Sequence, residues 1–418
     1  MFIHVVFTLM EDLSFLSFFR TTLKLPAEWV VDGVRMDAAQ RCVYVDISYH
    51  GPEVIYDHQA ARKWRHLDLC EYQTFIVARL PRTRSSSGEL KVIPAPWSSP
   101  MQRISTVLER QIIHVALLTK NRSATSKVVD LKYGTVLRTC RRAVLRGLAR
   151  KQIKEAVTPT VIRYIGIDDK CYGWPRRMAT IVTDTERQCV LAVVDGHTQA
   201  SAGQASAEQV LSIALLPSQR AQLLAVSMDM WDAYAAAVNT MLPGVPIVHD
   251  KYHLEKLNQR AIDQTRRQEV QEHPELRGKR FWLLRRTTTQ PPKIQAFFEA
   301  IQEANMVTAH TWQAAADFRA VYKFRNRRDA RLYLQTWIFT YWNTDNLPLR
   351  RLVVTFKNYL EGIVNYFDHR ITNAVAERIN GKIQEIKLLA KGFRTFQNFK
   401  DAVLFYLGGL DLDPLTSE

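Results

Sequence analysis

Three acidic residues fall where a phosphodiester-cutting site would need them. Asp168 closes an apolar run from Val161 to Ile167, Asp229 comes just after a second run from Leu223 to Ser227, and Glu377 lies in a late helical stretch. Two-metal hydrolysis or transesterification of a phosphodiester requires cations a few ångströms apart, one activating the attacking oxygen and the other stabilising the leaving one. Magnesium prefers hard oxygen ligands, so several carboxylates must converge from rigid elements. Each acid also has an ordinary role open to it: Asp168 as a turn cap, Asp229 as the N-cap of a helix beginning near Trp231, Glu377 as an exposed helix acid. Asp169 points away from Asp168 on a strand and is left out of the set.

Four further residues stand near these acids in the pattern. Asp250 and His253 sit at the end of a short strand and one turn into a helix, where they could orient the site or bind phosphate of the cut strand. A histidine satisfied by a local hydrogen bond is the alternative for His253. Asn380 is three residues after Glu377 and shares its helix face. Lys382, with Lys387 beyond it, could neutralise phosphate or simply face solvent.

The elements that must position them follow from periodicity. Residues 160–249 read as a strand to Ile167, a hairpin of Met178 to Val182 and Cys189 to Val194, and a helix over Ser206 to Leu216. A strand to Ser227, a helix over Trp231 to Met241, a strand Pro246 to His249 and a long helix from Tyr252 to about Glu269 complete it. That order is the order of a ribonuclease-H-like mixed sheet, with both aspartates at strand ends, which are rigid and open. From about 269 to 360 the chain is almost wholly helical, as an inserted domain would be. It is rich in Arg277, Lys279, Arg280, Arg285, Arg286, Lys323, Arg325, Arg327, Arg328 and Arg331. Trp282, Trp312, Trp337 and Trp342 in it read as core, the alternative being stacking on an exposed base.

From Trp29 to Leu80 the pattern is short and β-like, ending in the loop Arg84 to Gly88 and the extended Pro94 to Trp97. Residues 100–155 turn helical. After Thr125 and Ser126 as possible caps come short helices over Lys127 to Asp130 and Thr135 to Leu148. The second carries Arg138, Arg141, Arg142 and Arg146, which suits a helix-turn-helix with that helix in the major groove; a solvated basic face is the alternative.

Composition agrees with a polyanionic partner. The 418 residues carry a net charge of +16 with basic residues throughout, and 47% are hydrophobic, as in an ordinary globular chain. The five cysteines form no CxxC pair, so neither a disulfide framework nor a thiolate zinc site is expected. Glu11 and Asp12 interrupt the apolar start, Met1 to Phe19, so a signal peptide or membrane span is not expected there.

Four blocks carry a family resemblance: Tyr164 to Lys170, Val226 to Tyr234, His249 to Leu257 and Thr372 to Ile383. In order, they resemble the blocks of ISL-three family insertion-sequence transposases, and Lys391 to Phe399 resembles the block closing that family's catalytic domain. The similarity extends back to Tyr56-Asp57-His58, Trp64 to Asp68 and Pro94 to Trp97, which resemble the family's zinc-ribbon module and the start of its helix-turn-helix. The chain departs from the family at the metal knuckles. Ser48 to Pro52 and Arg82 to Gly88 stand where CxxC pairs are expected, and no tetrahedral thiolate site can be built from them. A ribbon fold held by packing, without zinc, is therefore expected.

The resemblance implies a fold: α/β, an RNase-H-like mixed sheet with a large all-helical insertion, preceded by a small zinc-ribbon-like β module and a helix-turn-helix. The expected divisions are 1–99, 100–155, 156–268, 269–360 and 361–418. It also implies a DDE triad of Asp168, Asp229 and Glu377 binding two Mg2+ ions, with Mn2+ able to substitute. Asp250 and His253 match a DxxH pattern of related transposases. The implied partners are double-stranded transposon-end and target DNA and a second copy of the chain, in a dimer or larger synaptic assembly, within the bacterial cytoplasm at the nucleoid and away from membranes. Two other readings stay open: a transposase-derived DNA-binding regulator without cleavage, and another RNase-H-fold enzyme such as a ribonuclease or resolvase.

Overall fold

The computed structural model describes residues 16–85, 88–174, 177–196, 200–284, 291–371 and 374–415. Residues 1–15 of the apolar start, Ser86 and Ser87 of the expected loop, Arg285 and Arg286 of the basic stretch, and Thr372 and Asn373 of the fourth block lie outside the described residues. The chain divides into two compact units, residues 1–150 with 411–418, and residues 151–410.

In the first unit, β1 (Trp29–Asp37), β2 (Cys42–Tyr49), β5 (Gln73–Ala78) and β4 (Arg62–Arg65) form one sheet in that order. The strands β3 (Ile55–His58), β6 (Pro81–Arg84) and β7 (Leu90–Val92) form a second. Alternation decides the buried face: Val43, Val45 and Ile47 of β2 and Ile76 and Ala78 of β5 are in the core. The cluster they join is built on tryptophan, with Trp97 meeting Trp29 and Trp64 edge-on at centroid distances of 5.0 and 5.5 Å. Such pairs add about 0.5–1.5 kcal/mol each beyond area burial.

Three helices follow: α1 (Thr106–Thr119), α2 (Arg122–Val128) and α3 (Tyr133–Val157). The second starts about five residues before the expected Lys127. Its cap is Asn121, whose side-chain oxygen accepts from both Ser123 N and Ala124 N, while Thr125 is buried inside the helix. An asparagine that satisfies two otherwise orphaned N–H groups stabilises the earlier start by roughly 1 kcal/mol. α3 runs well past the expected Leu148.

The second unit holds a five-stranded sheet in the order β10-β9-β8-β11-β12. Here β8 is Tyr164–Gly173, β9 Arg177–Asp184, β10 Cys189–Gly196, β11 Ala225–Met228 and β12 Ile247–His249. The first three are antiparallel neighbours, and β11 runs parallel to both β8 and β12. The strand expected to stop at Ile167 instead continues through both aspartates. β9 pairs with it from Ile165 to Gly173, whereas β11 pairs only with Tyr164 to Gly166. Asp168 therefore sits inside a strand, at the point where one edge of that strand loses its partner.

Helices α4 (Ala200–Ala214) and α5 (Asp232–Met241) cover one face through Val210, Leu211, Tyr234, Ala237 and Val238, which pack on Ile165, Ile167, Val182 and Val226. Each fully buried aliphatic side chain contributes about 1.5–3 kcal/mol. The long helix α6 (Lys251–Glu269) leads into α7 (Pro292–Glu303), α8 (Val307–Ala320), α9 (Arg327–Tyr341), α10 (Leu347–Asn358) and the short α11 (Leu360–Val364). Trp337 is core, its indole N–H donating to Ala314 O at 2.8 Å. Trp282 and Trp312 pack with Phe297 and Phe298, whereas Trp342 is 38% exposed beneath the Lys357 ammonium. Several basic residues of this region are internally paired, Arg319 with Glu255 at 2.7 Å and Arg327 with Asp368 at 2.9 Å. The chain then returns through α12 (Ala374–Leu389) and α13 (Phe396–Leu407). No helix among the described residues is long and apolar enough to cross a membrane.

Candidate active site

One cavity opens where β8 and β11 part. It is lined by Gly166, Ile167, Asp168, Ile181, Thr183, Ser227, Met228, Asp229, Asp250, His253 and Asn380. Residues from the three strands β8, β9 and β11, the start of α6 and the second turn of α12 meet there, where β11 and β12 end together, at Met228 opposite His249.

Strand alternation divides the two neighbouring acids. Asp169 faces α5, accepting from Thr180 Oγ1 at 2.8 Å near the Tyr234 hydroxyl, and burial raises its pKa. Asp168 faces α12. Asn380 Nδ2 donates to its Oδ2 at 2.9 Å, and the Lys170 ammonium lies 2.8 Å from the same oxygen.

Asp229 follows β11, with Oδ1 accepting from Met230 N at 2.7 Å and 44% of its side chain exposed. It does not cap the next helix; Trp231 holds that position. Asp250 does cap its helix: Oδ1 accepts from Tyr252 N at 2.8 Å. Its Oδ2 accepts from His253 Nδ1 at 2.7 Å, which leaves His253 Nε2 facing Asp229 Oδ2 at 3.7 Å. Burial by itself would lower the His253 pKa, but the Asp250 hydrogen bond and the nearby Asp229 and Asp168 leave it raised. His249, buried behind Asp250, is pushed down to about 4 by burial.

Thus Asp168, Asp229, Asp250, His253 and Asn380 are brought together. Glu377 is not among the cavity's lining residues; it is exposed in the first turn of α12. It lies three positions before Asn380 on nearly the same helix face, an axial rise of about 4.5 Å. Among the described residues no three His, Cys, Asp or Glu side chains are grouped closely enough to hold a metal ion. Lys382 is exposed on the same helix. No sequence motif singles out Lys170, although its place two positions after Asp168 puts it on the same strand face.

In the first unit the four arginines of α3 separate into two kinds. Arg138 and Arg141 are exposed. Arg146 Nη1 lies 2.9 Å and Arg142 Nη2 3.5 Å from Glu109, which is 1% exposed, and Arg146 also donates to Leu412 O. Burial lowers the Arg142 pKa.

A mixed sheet with helices, opening on two strand-borne aspartates and an aspartate-held histidine, defines an α/β protein with a polar site at parallel strand ends. The family model for DDE transposases of the ISL3 type, described as a transposase, matches residues 165–403, and the chain belongs to that family. The match begins in β8 and ends in α13, so it contains every residue of this cavity. No curated protein is similar enough to match the chain.

Proposed function

We propose that this transposase is a DDE-type, metal-dependent polynucleotidyl transferase with an RNase-H-like core, in which Asp168, Asp229 and Glu377 hold two Mg2+ ions. Mn2+ would substitute. The observation that carries the reading is the convergence of the Asp168 and Asp229 carboxylates on one cavity from adjacent parallel strands. The oxygen donors at the opening are of the kind a hard divalent ion prefers, and they are short of a full set by the third acid. Two carboxylates face one opening, and one of them already attracts an ammonium as a stand-in cation. Glu377, three residues before Asn380 on nearly the same face of α12, completes the set on this reading.

When bound, the ions would supply an activated nucleophile and charge stabilisation on the phosphoryl oxygens. The chain's own groups do the positioning. Asn380 fixes the rotamer of Asp168. Asp250 holds the Nδ1 proton of His253 and turns Nε2 to the cavity, where the raised pKa favours an imidazolium able to donate to a phosphate oxygen. Water attacks the phosphodiester at the transposon end, and the P–O bond breaks to leave a 3′-hydroxyl. That hydroxyl then attacks a target phosphodiester in line, joining to the target's 5′-phosphate as the P–O3′ bond breaks and the target's 3′-hydroxyl leaves, without a covalent enzyme intermediate.

The five-part division at 99, 155, 268 and 360 belongs to this proposal, with residues 1–99 as a ribbon without zinc and 100–155 as a helix-turn-helix. Arg138 and Arg141 are its exposed cations for the DNA backbone or base edges, and Arg142 and Arg146 support them from behind. The partners are double-stranded end and target DNA and a second copy of the chain, in the bacterial cytoplasm.

The test is magnesium-dependent nicking of DNA that carries the element's ends. Wild type nicks, and Asp229→Ala and Glu377→Gln bind the same DNA without nicking it. Binding with no cleavage by wild type would instead support a DNA-binding regulator, the reading favoured by the exposed position of Glu377.

A further inference from the structure

We propose that Lys170 is an internal counter-cation for Asp168, which a divalent ion has to displace, and that a DNA phosphate is the anion that takes the ammonium when it leaves. The inference rests on the reading of Asp168 as a metal ligand.

The geometry pairs Lys170 with Asp168. Residues 168 and 170 share one face of β8, ahead of the irregularity between Cys171 and Gly173. Tyr172, two residues on, is 4% exposed and stacks on Phe399 at 5.3 Å. Asp169 points to the other face, toward Thr180 and Tyr234. The Lys170 side chain is 17% exposed and its Nζ lies 2.8 Å from Asp168 Oδ2, the oxygen that also accepts from Asn380. An ion pair so sheltered is far less screened than one on an open surface.

A unit positive charge at this distance opposes a second cation on the same carboxylate. Free enzyme therefore binds divalent ions weakly. A phosphate in the cavity offers the ammonium a new partner, and Asp168 Oδ2 becomes available once DNA is in place. Metal loading is thereby coupled to DNA loading, as two ligands that favour the same rearranged state.

Mn2+ binding to the full chain, measured by isothermal titration calorimetry without DNA, tests this with Lys170→Gln, Lys170→Met, Lys170→Arg and Asp168→Asn. The expected result is about tenfold tighter Mn2+ binding in the Gln and Met variants, wild-type affinity in Lys170→Arg, and loss in Asp168→Asn. The rise of Tm on adding Mn2+ gives an independent reading and is expected to be larger in Lys170→Gln than in wild type. Unchanged or weaker binding in both Gln and Met variants, with loss in Asp168→Asn, overturns the counter-cation role alone. Binding that Asp168→Asn leaves intact, or binding by none of the proteins even when end DNA is added, overturns the metal reading and the counter-cation role with it.

Discussion

Asn380 donates its side-chain amide to Asp168 Oδ2 at 2.9 Å across 212 residues of sequence, tying α12 to β8. This bond fixes the helix that carries Glu377 against the strand that carries Asp168. Asn380→Ala is expected to lower end cleavage about tenfold or more, the loss of one hydrogen bond to a charged group, while leaving DNA affinity unchanged. Single-turnover cleavage beside a gel-shift titration separates the two. Equal loss of binding and cleavage would count against this role.

Asp250 holds His253 through a 2.7 Å bond to Nδ1. In Asp250→Asn the burial that lowers the histidine's pKa is no longer outweighed, so the value is expected to fall. NMR titration of the imidazole reads the direction. Cleavage is expected to drop about a hundredfold with it, the order of a positioned acid–base group.

Gly362 of α11 faces His249 so closely that an added Cβ would lie 2.2 Å from the ring Cδ2 and 2.5 Å from Nε2. His249 is 6% exposed and adjoins Asp250, so the ring cannot move without disturbing the site. Gly362→Ala is expected to cost about 1–3 kcal/mol in urea denaturation, the range for overpacking. A neutral effect would mean the ring has room that the packing denies.

Glu109 is the shared partner of Arg142 and Arg146 in the first unit. Its removal leaves two half-buried guanidinium groups facing each other. Glu109→Ala is expected to destabilise the fold by about 3 kcal/mol or more, as loss of one member of a buried ionic group does. Arg138→Ala, in contrast, is expected to keep the wild-type Tm and weaken DNA binding, with a shallower salt dependence.

His66 is 8% exposed, its Nδ1 is 2.7 Å from Ser105 Oγ, and burial holds its pKa down to about 4. Unfolded, the ring takes up a proton below its ordinary value near 6.5; folded, it stays neutral. Its stabilisation is therefore complete above pH 6.5 and is lost as pH falls toward 4, by at most ~3 kcal/mol. Urea midpoints from pH 7 to pH 4.5 are expected to fall less in His66→Gln than in wild type.

Sequence by itself determined the strand and helix pattern of residues 160–270, the family, and the residues of the cavity supplied by Asp168, Asp229, Asp250 and His253. These are short-range facts: alternation puts Asp168 and Asp169 on opposite faces, and a capping aspartate with histidine three residues on must meet in the first turn. Tertiary structure decided what spacing cannot carry. Strand β8 runs past Asp168 because β9 goes on pairing with it after β11 stops, a difference set by two partners far away in the chain. The same holds for the amide and ammonium that reach Asp168 Oδ2, and for the turn of Arg142 and Arg146 onto a buried glutamate. Charge type is written in the sequence, but the partner each charge finds depends on which surfaces pack together and how much water is left between them.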